Sequence, residues 1–116
     1  MERRKSTSIA SGPMIVNISS DAEFDLIEGF WFYERQSSGL GDYFRSTLIA
    51  DIDSLAYYGG IHEIAHNYHR ALSKRFPFCI YYTFSENTVT IMAVLDARRA
   101  PLWTRQRLNY SLGGSE

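Results

Sequence analysis

The chain has 116 residues, of which 45% are apolar, 15% aromatic and 22% charged, and its net charge is −1. This length and composition indicate one globular domain and exclude a disordered or collagen-like chain. Cys79 is the single cysteine, which excludes an internal disulfide, and every apolar run is well short of the ~18 residues that cross a bilayer. We therefore expect a cytoplasmic domain that does not engage a membrane.

The amino-terminal segment, residues 1–13, has no hydrophobic periodicity and ends in Gly-Pro. It is predicted to be a disordered tail, or an extension upstream of a translation start at Met14. A short first strand is then predicted at Ile15, Val16 and Ile18.

Two amphipathic helices are predicted next. The first starts at a capping box formed by Ser20 and Glu23, in which the serine oxygen accepts the amide hydrogen of the glutamate. Its apolar residues recur at helical spacing and define one face, with Leu26, Phe30 and Tyr33 alongside. The apolar members of that face are Phe24, Ile27 and Trp31.

The second predicted helix follows a stop at Ser37-Ser38-Gly39, where Gly39 suits the left-handed position that ends a helix. It runs to about Tyr58 and is ended by Gly59-Gly60. Because the connection between the helices is only a few residues long, we expect an antiparallel helix hairpin. The predicted apolar face of the second helix consists of Phe44, Leu48, Ile52 and Leu55.

The second half of the chain changes to the period of two that is typical of strands. Strands are predicted at about 70–75, at 78–84 and at 89–95, with a tight turn at Ser85-Glu86-Asn87 between the last two. The last two strands are apolar on both faces. One face is expected to pack on the helix hairpin, and the other needs a cover, either the segment 102–108 or another chain.

These elements predict an α+β domain with the order β-α-α-β-β-β-α. It consists of an N-terminal strand, the antiparallel helix hairpin, a three-stranded antiparallel sheet region and a short C-terminal helix. The domain is expected to span residues 14–108, and residues 109–116 are predicted to be a flexible tail.

The segment His62-Glu63-Ile64-Ala65-His66 matches the H-E-x-x-H motif of zinc proteases literally. That motif needs a long helix, whereas Gly59-Gly60 stands just before it and a predicted strand begins a few residues after it. His69 stands where the extended motif has a glycine, and Leu72 where it has a third ligand. We therefore reject a zinc protease and expect neither a structural metal nor a cofactor. The alternatives are an adventitious surface metal site that includes His69 and a plain polar connection.

The charged residues divide between the two halves of the chain. Residues 21–63 carry nine acidic side chains against two arginines, whereas residues 70–107 carry seven basic side chains against two acidic ones. A basic half rich in arginine favours a polyanionic or acidic partner. The alternative is an ordinary mixed surface whose two halves attract each other.

A candidate binding site lies directly after the last strand, where Arg98 and Arg99 are adjacent. Two arginines at a rigid strand end can bind phosphates or carboxylates bidentately. Arg70 and Arg75, from the neighbouring predicted strand, are expected to converge on the same edge. Trp103 either stacks on a base or packs on the sheet. The alternative for Arg98 and Arg99 is pairing with the acidic side chains of the helices.

Several pieces of the chain occur in an order that matches a known family. They are the opening strand with Ser20-Asp21-Ala22-Glu23, the run Tyr33-Glu34-Arg35-Gln36-Ser37-Ser38-Gly39-Leu40-Gly41, the strand Arg75-Phe76-Pro77-Phe78 with Ile80-Tyr81-Tyr82, and the segment Ile91 to Leu95 with Arg98-Arg99-Ala100-Pro101 and Trp103. In this combination the chain resembles the RelE/ParE superfamily, the toxins of bacterial type II toxin–antitoxin modules, often called plasmid stabilisation proteins. The resemblance covers about residues 14–108.

The resemblance implies a small toxin that is neutralised by an antitoxin encoded beside it, whose C-terminal segment wraps the toxin as a helix or an added strand. RelE-like members cut messenger RNA on the ribosome without a metal, whereas ParE-like members poison DNA gyrase. Cys79 and Ala97 stand where RelE-like members have functional arginines, and Trp103 stands in place of a late tyrosine. These departures favour a ParE-like toxin. A ribosome-dependent mRNA endonuclease and a non-toxic protein-interaction domain are the alternatives, so that the resemblance leaves open whether the chain is an enzyme.

Overall fold

The computed structural model describes residues 13–113, which form five strands and three helices. In chain order the elements are β1 (Ile15–Ile18), α1 (Ser20–Glu34), α2 (Leu40–Tyr58), β2 (Ile64–Ala65), β3 (Tyr68–Leu72), β4 (Phe78–Ser85), β5 (Thr88–Asp96) and α3 (Pro101–Gly113). The predicted α+β class is confirmed, and the short strand β2 is an addition to the predicted order. Helix α3 continues five residues past the expected domain end at Leu108. Of the tails predicted at 1–13 and 109–116, residues 1–12 and 114–116 lie outside the described residues.

The five strands form one sheet in the order β1-β5-β4-β3-β2. Strand β1 runs parallel to β5, and the other neighbouring pairs are antiparallel. Because β1 opposes only Thr88 to Ile91, the second half of β5 has no strand on its outer side. Strand β3 ends at Leu72, earlier than predicted, so that Arg75 lies in the connection to β4 rather than on a strand.

Two tight turns join antiparallel strands through pairs of residues with positive φ, as type I′ turns do. Glu86 and Asn87, with φ of 50° and 63°, confirm the turn predicted between β4 and β5. His66 and Asn67, with φ of 55° and 73°, join β2 to β3. The sequence pattern does not indicate this second hairpin, because a strand of two residues is too short to show a period.

The helix hairpin starts one residue earlier than predicted. Ser19, not Ser20, is the N-cap of α1, and its hydroxyl oxygen accepts the amide hydrogen of Ala22 at 3.1 Å. At the other end, the carboxylate of Glu34 accepts amide hydrogens from Gly39 and Gly41, so that the last residue of α1 caps the start of α2. Gly39 has a φ of 90°, which confirms its predicted left-handed conformation, but it is the N-cap of α2 and not the residue that ends α1, whose C-cap is Arg35.

The apolar face predicted for α1 is not the face that packs. Phe24, Ile27 and Trp31 lie outward, and each is more than half exposed. The buried residues of the helix are Ala22, Asp25, Leu26, Gly29 and Tyr33. Helix α1 is apolar on nearly all sides, so that its periodicity alone does not select the buried stripe. For α2, in contrast, all four residues of the predicted face are buried, which confirms that face.

A β-bulge at Met92 changes which residues of β5 face the helix hairpin. Tyr82 pairs with Ile91 and Tyr81 with Ala93, which leaves Met92 as the extra residue. Ile91 and Val94 therefore pack in the core below α1 and α2, whereas Ala93 lies on the opposite face of the sheet. The period of two predicted for this strand would keep residues 89, 91, 93 and 95 on one face, and the bulge breaks that period after Ile91.

Helix α3 covers the second face of the sheet. Of the two predicted covers, the segment 102–108 or another chain, the first is the one observed. Leu108 of α3 is fully buried in a cluster with Cys79, Tyr81 and Leu95, and Trp103 packs against that cluster.

No helix within residues 13–113 has the length and apolar character to cross a membrane.

The packing of α1 on α2 makes Gly29 a sensitive position. A Cβ at Gly29 would lie 2.5 Å from the ring of Phe44, which is fully buried. We expect Gly29→Ala to lower the free energy of unfolding in a urea titration, because overpacking costs about 1–3 kcal/mol and outweighs the ~1 kcal/mol that alanine gains over glycine in a helix. The loss should shrink when Phe44→Leu is also present, since leucine leaves room for the methyl group. Higher stability in Gly29→Ala alone would contradict this packing.

Candidate partner-binding site

The adjacent arginines predicted as a site lie at the end of β5, in the turn that leads to α3. The carboxylate of Asp96 accepts hydrogen bonds from the backbone amide of Arg98 at 2.8 Å and from its side-chain Nε and Nη2 at 2.9 and 2.8 Å. This pairing raises the pKa of Arg98 above its usual value and lowers that of Asp96. Arg98 therefore pairs with an acid of its own turn rather than with the acids of the helices, and its side chain remains largely exposed.

Arg99 and Trp103 form one unit. The guanidinium carbon of Arg99 lies 4.0 Å from the centroid of the Trp103 ring, in a cation–π arrangement. Trp103 is half-buried and packs on the second face of the sheet. Of the two alternatives for Trp103, packing on the sheet is the one observed, and the ring also supports the exposed Arg99.

The structure brings Arg75 to the same end of the sheet as Arg98 and Arg99. The amide of Ala97 donates to the carbonyl of Pro77 at 2.7 Å, which ties the β3–β4 connection to the turn after β5. Arg75 is exposed in that connection. Arg70 lies elsewhere, on β3 opposite Tyr81, where it forms an ion pair with Glu63. Of the four predicted arginines, Arg75, Arg98 and Arg99 thus lie in adjoining connections at one end of the sheet, and Arg70 does not.

A carboxylate of helix α2 anchors the connection between β3 and β4. The carboxylate of Asp51 on α2 accepts hydrogen bonds from the hydroxyl of Ser73 at 2.7 Å and from the backbone amide of Lys74 at 3.2 Å. These bonds fix the backbone just before Arg75. The arginine end of the sheet, defined as Arg75, Arg98 and Arg99, thus rests on anchored backbone.

A buried ion pair that the sequence analysis missed lies beside this end. Asp25 of α1 is only 7% exposed and accepts hydrogen bonds from the amide of Val94 at 3.0 Å and from Nη2 of Arg107, at 2.7 Å to each oxygen. Burial raises the pKa of Asp25 to about 6, against the opposing effects of the Val94 amide and Arg107. The sequence does contain a sign that Asp25 is buried, since it stands at helical spacing from Ala22 and Gly29. That sign can be read only when the side of α1 with Ala22 and Gly29 is known to be the side that packs on the sheet.

The outward side of α1 carries an exposed apolar stripe. Phe24, Ile27 and Trp31, here called the α1 ridge, are 61%, 53% and 51% exposed. A contiguous exposed apolar patch on a small domain is typical of a protein-binding surface. The ridge separates two grooves: one between α1 and α2, of about 470 Å³, which Phe30 and Ile49 help to line, and one between α1 and α3, of about 650 Å³.

The histidines of the zinc-protease motif do not lie on a helix. Ile64–Ala65 is strand β2, and His66 belongs to the turn after it. Nδ1 of His62 lies 2.6 Å from the hydroxyl of Tyr82, and Nδ1 of His69 donates to the carbonyl of His62 at 2.7 Å. Within residues 13–113 no three His, Cys, Asp or Glu side chains are grouped as metal ligands. In this structure the histidines hold the connection between α2 and the β2–β3 hairpin.

The fold is shared with a solved structure described as the chromosomal ParDE TA system from P. aeruginosa. A chain of that structure matches this one with a TM-score of 0.61 and 12% sequence identity, over 73% of this chain and 97% of that chain. A likeness at this identity establishes the fold alone. No family model and no curated protein matches the sequence.

The buried carboxylate gives a pH-dependent prediction. Because the pKa of Asp25 is raised in the folded state, its contribution to stability is fully present below pH 3.8 and is lost as the pH rises to about 6. The free energy of unfolding of the wild type, minus that of Asp25→Asn, should therefore fall between pH 4 and pH 6, by up to about 1.4 kcal/mol per pH unit.

Urea titrations at four pH values measure that difference. Asp53→Asn, which removes an exposed acid of α2, is measured at the same pH values as the matched control for the loss of one acidic side chain. If the free energy of unfolding of the wild type, minus that of Asp25→Asn, instead rises with pH, the pairing of Asp25 with Arg107 outweighs the cost of burying the carboxylate.

Proposed function

We propose that the chain is the toxin of a type II toxin–antitoxin module, with a ParE-like action on DNA gyrase, and that its cognate antitoxin binds the α1 ridge. The observation that carries the proposal is the shared fold, which spans nearly the whole of a chain from a ParDE TA system. The resemblance of the sequence motifs to the RelE/ParE superfamily supports it independently. The cytoplasm, where gyrase and ribosomes are found, is the expected location.

The arrangement of the second sheet face supports a non-nuclease action. A ribonuclease of this fold needs acid–base groups that reach its substrate. Tyr68, Cys79 and Tyr81, which lie on this face, are each 5% exposed or less, and burial raises the pKa of all three. Helix α3 covers the cluster to which they belong. Arg75, Arg98 and Arg99, in contrast, are exposed at the arginine end, where they suit the binding of an acidic or phosphate-bearing target surface.

Expression in a bacterial host without the antitoxin tests this function. We expect growth arrest that is relieved when the antitoxin is expressed together with the chain. Gyrase poisoning should appear as DNA-damage signalling and altered plasmid supercoiling, whereas cleaved transcripts would identify the endonuclease alternative. Normal growth with verified folded protein would favour the non-toxic interaction domain.

The arginine end makes a sharper test of the same function. The double variant Arg98→Ala, Arg99→Ala should lose toxicity, because a charge-assisted contact with a target is worth roughly 1.5–3 kcal/mol. Its melting temperature should change little, since surface substitutions and exposed ion pairs each contribute at most about 1 kcal/mol. Arg105→Ala, an exposed arginine of α3 outside the arginine end, is the matched control and should stay toxic. Full toxicity of the double variant would remove these residues from the site, and a much lower melting temperature would assign them to the fold.

The α1 ridge is tested by neutralisation rather than by toxicity. Ile27→Glu with Trp31→Glu places charges on the exposed stripe, so we expect growth arrest that co-expressed antitoxin no longer relieves. Tyr57→Glu changes an aromatic residue of α2 that is 70% exposed and lies off the ridge, and it should still be neutralised. Normal neutralisation of the ridge variant would place the antitoxin elsewhere.

A further inference from the structure

The connection between α2 and β2 is bound to the sheet through the hydroxyl group of Tyr82 on β4. The Tyr82 side chain is fully buried, and its hydroxyl oxygen accepts the amide hydrogen of Gly60 at 2.9 Å. The same oxygen lies 2.6 Å from Nδ1 of His62. Two residues of the connection, one by its backbone and one by its side chain, thus meet at one buried atom.

The hydrogen bonds of this hydroxyl assign the hydrogen on the His62 ring. A tyrosine hydroxyl has one hydrogen to donate, and a neutral imidazole has one nitrogen that accepts. The Gly60 amide already donates to the oxygen, and the burial of Tyr82 keeps water from the hydroxyl. The hydroxyl hydrogen therefore goes to Nδ1 of His62. His62 is neutral in this arrangement, and its own hydrogen is on Nε2.

His69 makes the opposite kind of contact. Its Nδ1 donates to the carbonyl of His62 at 2.7 Å, and its ring is stacked on the ring of Tyr82, with the centroids 5.1 Å apart. A carbonyl only accepts, so Nδ1 of His69 carries a hydrogen in both charge states of the ring. A proton added to His69 leaves this bond in place. A proton added to Nδ1 of His62, in contrast, removes the acceptor of the Tyr82 hydroxyl.

We propose that the hydrogen bond between Tyr82 and His62 is a pH-sensitive latch, which holds the α2–β2 connection on the sheet while His62 is neutral and releases it when His62 takes up a proton. After protonation, Nδ1 of His62 and the Gly60 amide would both donate to the Tyr82 oxygen, and the hydroxyl hydrogen would be buried without an acceptor. Because an unpaired buried polar group is costly, the protonated connection is more stable when it is open. The latch does not depend on the proposed function.

The titratable groups around His62 set the direction of the pH effect. His69 lies beside it on β3, and Asp51, Tyr58 and Lys74 line the same cavity between α2 and β3, of about 280 Å³. Burial, and after it the neighbouring His69, lower the pKa of His62 from its ordinary value of 6.5.

The two acidic side chains near His62 are bound by other donors. The carboxylate of Asp51 accepts hydrogen bonds from the connection between β3 and β4, and Glu63 forms its ion pair with Arg70. These pairings leave burial as the largest influence on the ring, so the closed connection favours neutral His62.

The lowered pKa fixes the sign of the prediction. The open connection binds the proton more tightly than the closed one, so the latch is at full strength above pH 6.5 and weakens as the pH falls below that value. The equilibrium constant for opening can rise by at most about tenfold per pH unit, because one proton is taken up.

NMR on the purified full chain tests the latch. Hydrogen exchange of the Gly60 amide, corrected for the intrinsic pH dependence of exchange, measures how often the connection opens. The ring signals of His62 follow its protonation in the same samples. We expect the protection of Gly60 to fall severalfold between pH 7 and pH 5, in step with the titration of His62. The amide of Ile91, in the centre of the sheet, should stay protected.

Two variants and a control separate the latch from a plain structural contact. His62→Asn keeps an acceptor close to the position of Nδ1 but does not titrate, so the protection of Gly60 should no longer depend on pH. Tyr82→Phe removes the hydroxyl, and Gly60 should then be weakly protected at both pH values. His66→Asn removes a histidine from the neighbouring turn and suits its positive φ, so it should keep the wild-type pH dependence.

Three results would overturn the inference. They are unchanged protection of Gly60 while His62 titrates, the wild-type pH dependence in His62→Asn, and a His62 ring that stays neutral down to pH 5 or has a pKa of 6.5 or more. If Tyr82→Phe does not fold, the comparison of the wild type with His62→Asn still decides. The measurement uses neither toxicity nor a partner, so its outcome is independent of the growth assays.

Discussion

The carboxylate of Asp25 makes the contacts on which the arrangement of α1, β5 and α3 depends. It binds the amide of Val94 on β5 and the guanidinium of Arg107 on α3, so that one side chain of α1 joins the three elements around the open half of β5. A buried charge that loses such a partner destabilises a protein by about 3–5 kcal/mol. The three elements are therefore held at a fixed spacing, and that spacing defines the groove between α1 and α3.

The β-bulge at Met92 makes this contact available. Without the extra residue, the alternation along β5 would turn the Val94 amide toward β4 and its side chain toward α3. With it, Val94 packs below the helix hairpin and presents its amide to Asp25. The bulge follows directly after Ile91, the last residue that β1 opposes, so β5 changes its pairing partner from a strand to a side chain. A one-residue insertion thus sets both the edge of the sheet and the position of α1 over it.

The sequence predicts the elements of this fold better than the faces they present. Helix α2 has polar residues between the members of its apolar face, so its buried side follows from periodicity. Helix α1 has apolar residues on almost every side, and the choice between its stripes is made by packing against β5, which lies about 70 residues away in the chain. The bulge likewise depends on pairing between strands. The hydrogen bond that holds Arg98 is local, since its partner Asp96 is two residues away in the chain. The pairing of Asp25 with Arg107, in contrast, spans 82 residues, so it cannot be predicted from neighbouring residues.

The two grooves and the arginine end lie around one helix. Ile27 and Trp31 line the grooves on both sides of α1, and Arg99 lies at the α3 side of the second groove. A partner that wraps α1 would therefore bury the exposed apolar stripe and block a cationic surface at the same time. If the chain is the toxin that we propose, an antitoxin bound to α1 would neutralise it by covering the surface that the target requires.

Amide hydrogen exchange tests this account most directly, if the chain is measured alone and in complex with the product of the adjacent reading frame. The proposed function predicts a stable complex in which protection rises along α1, with little change in the β2–β3 hairpin. Failure to form a complex, or protection confined to the β2–β3 hairpin while α1 exchanges as in the free chain, would contradict it.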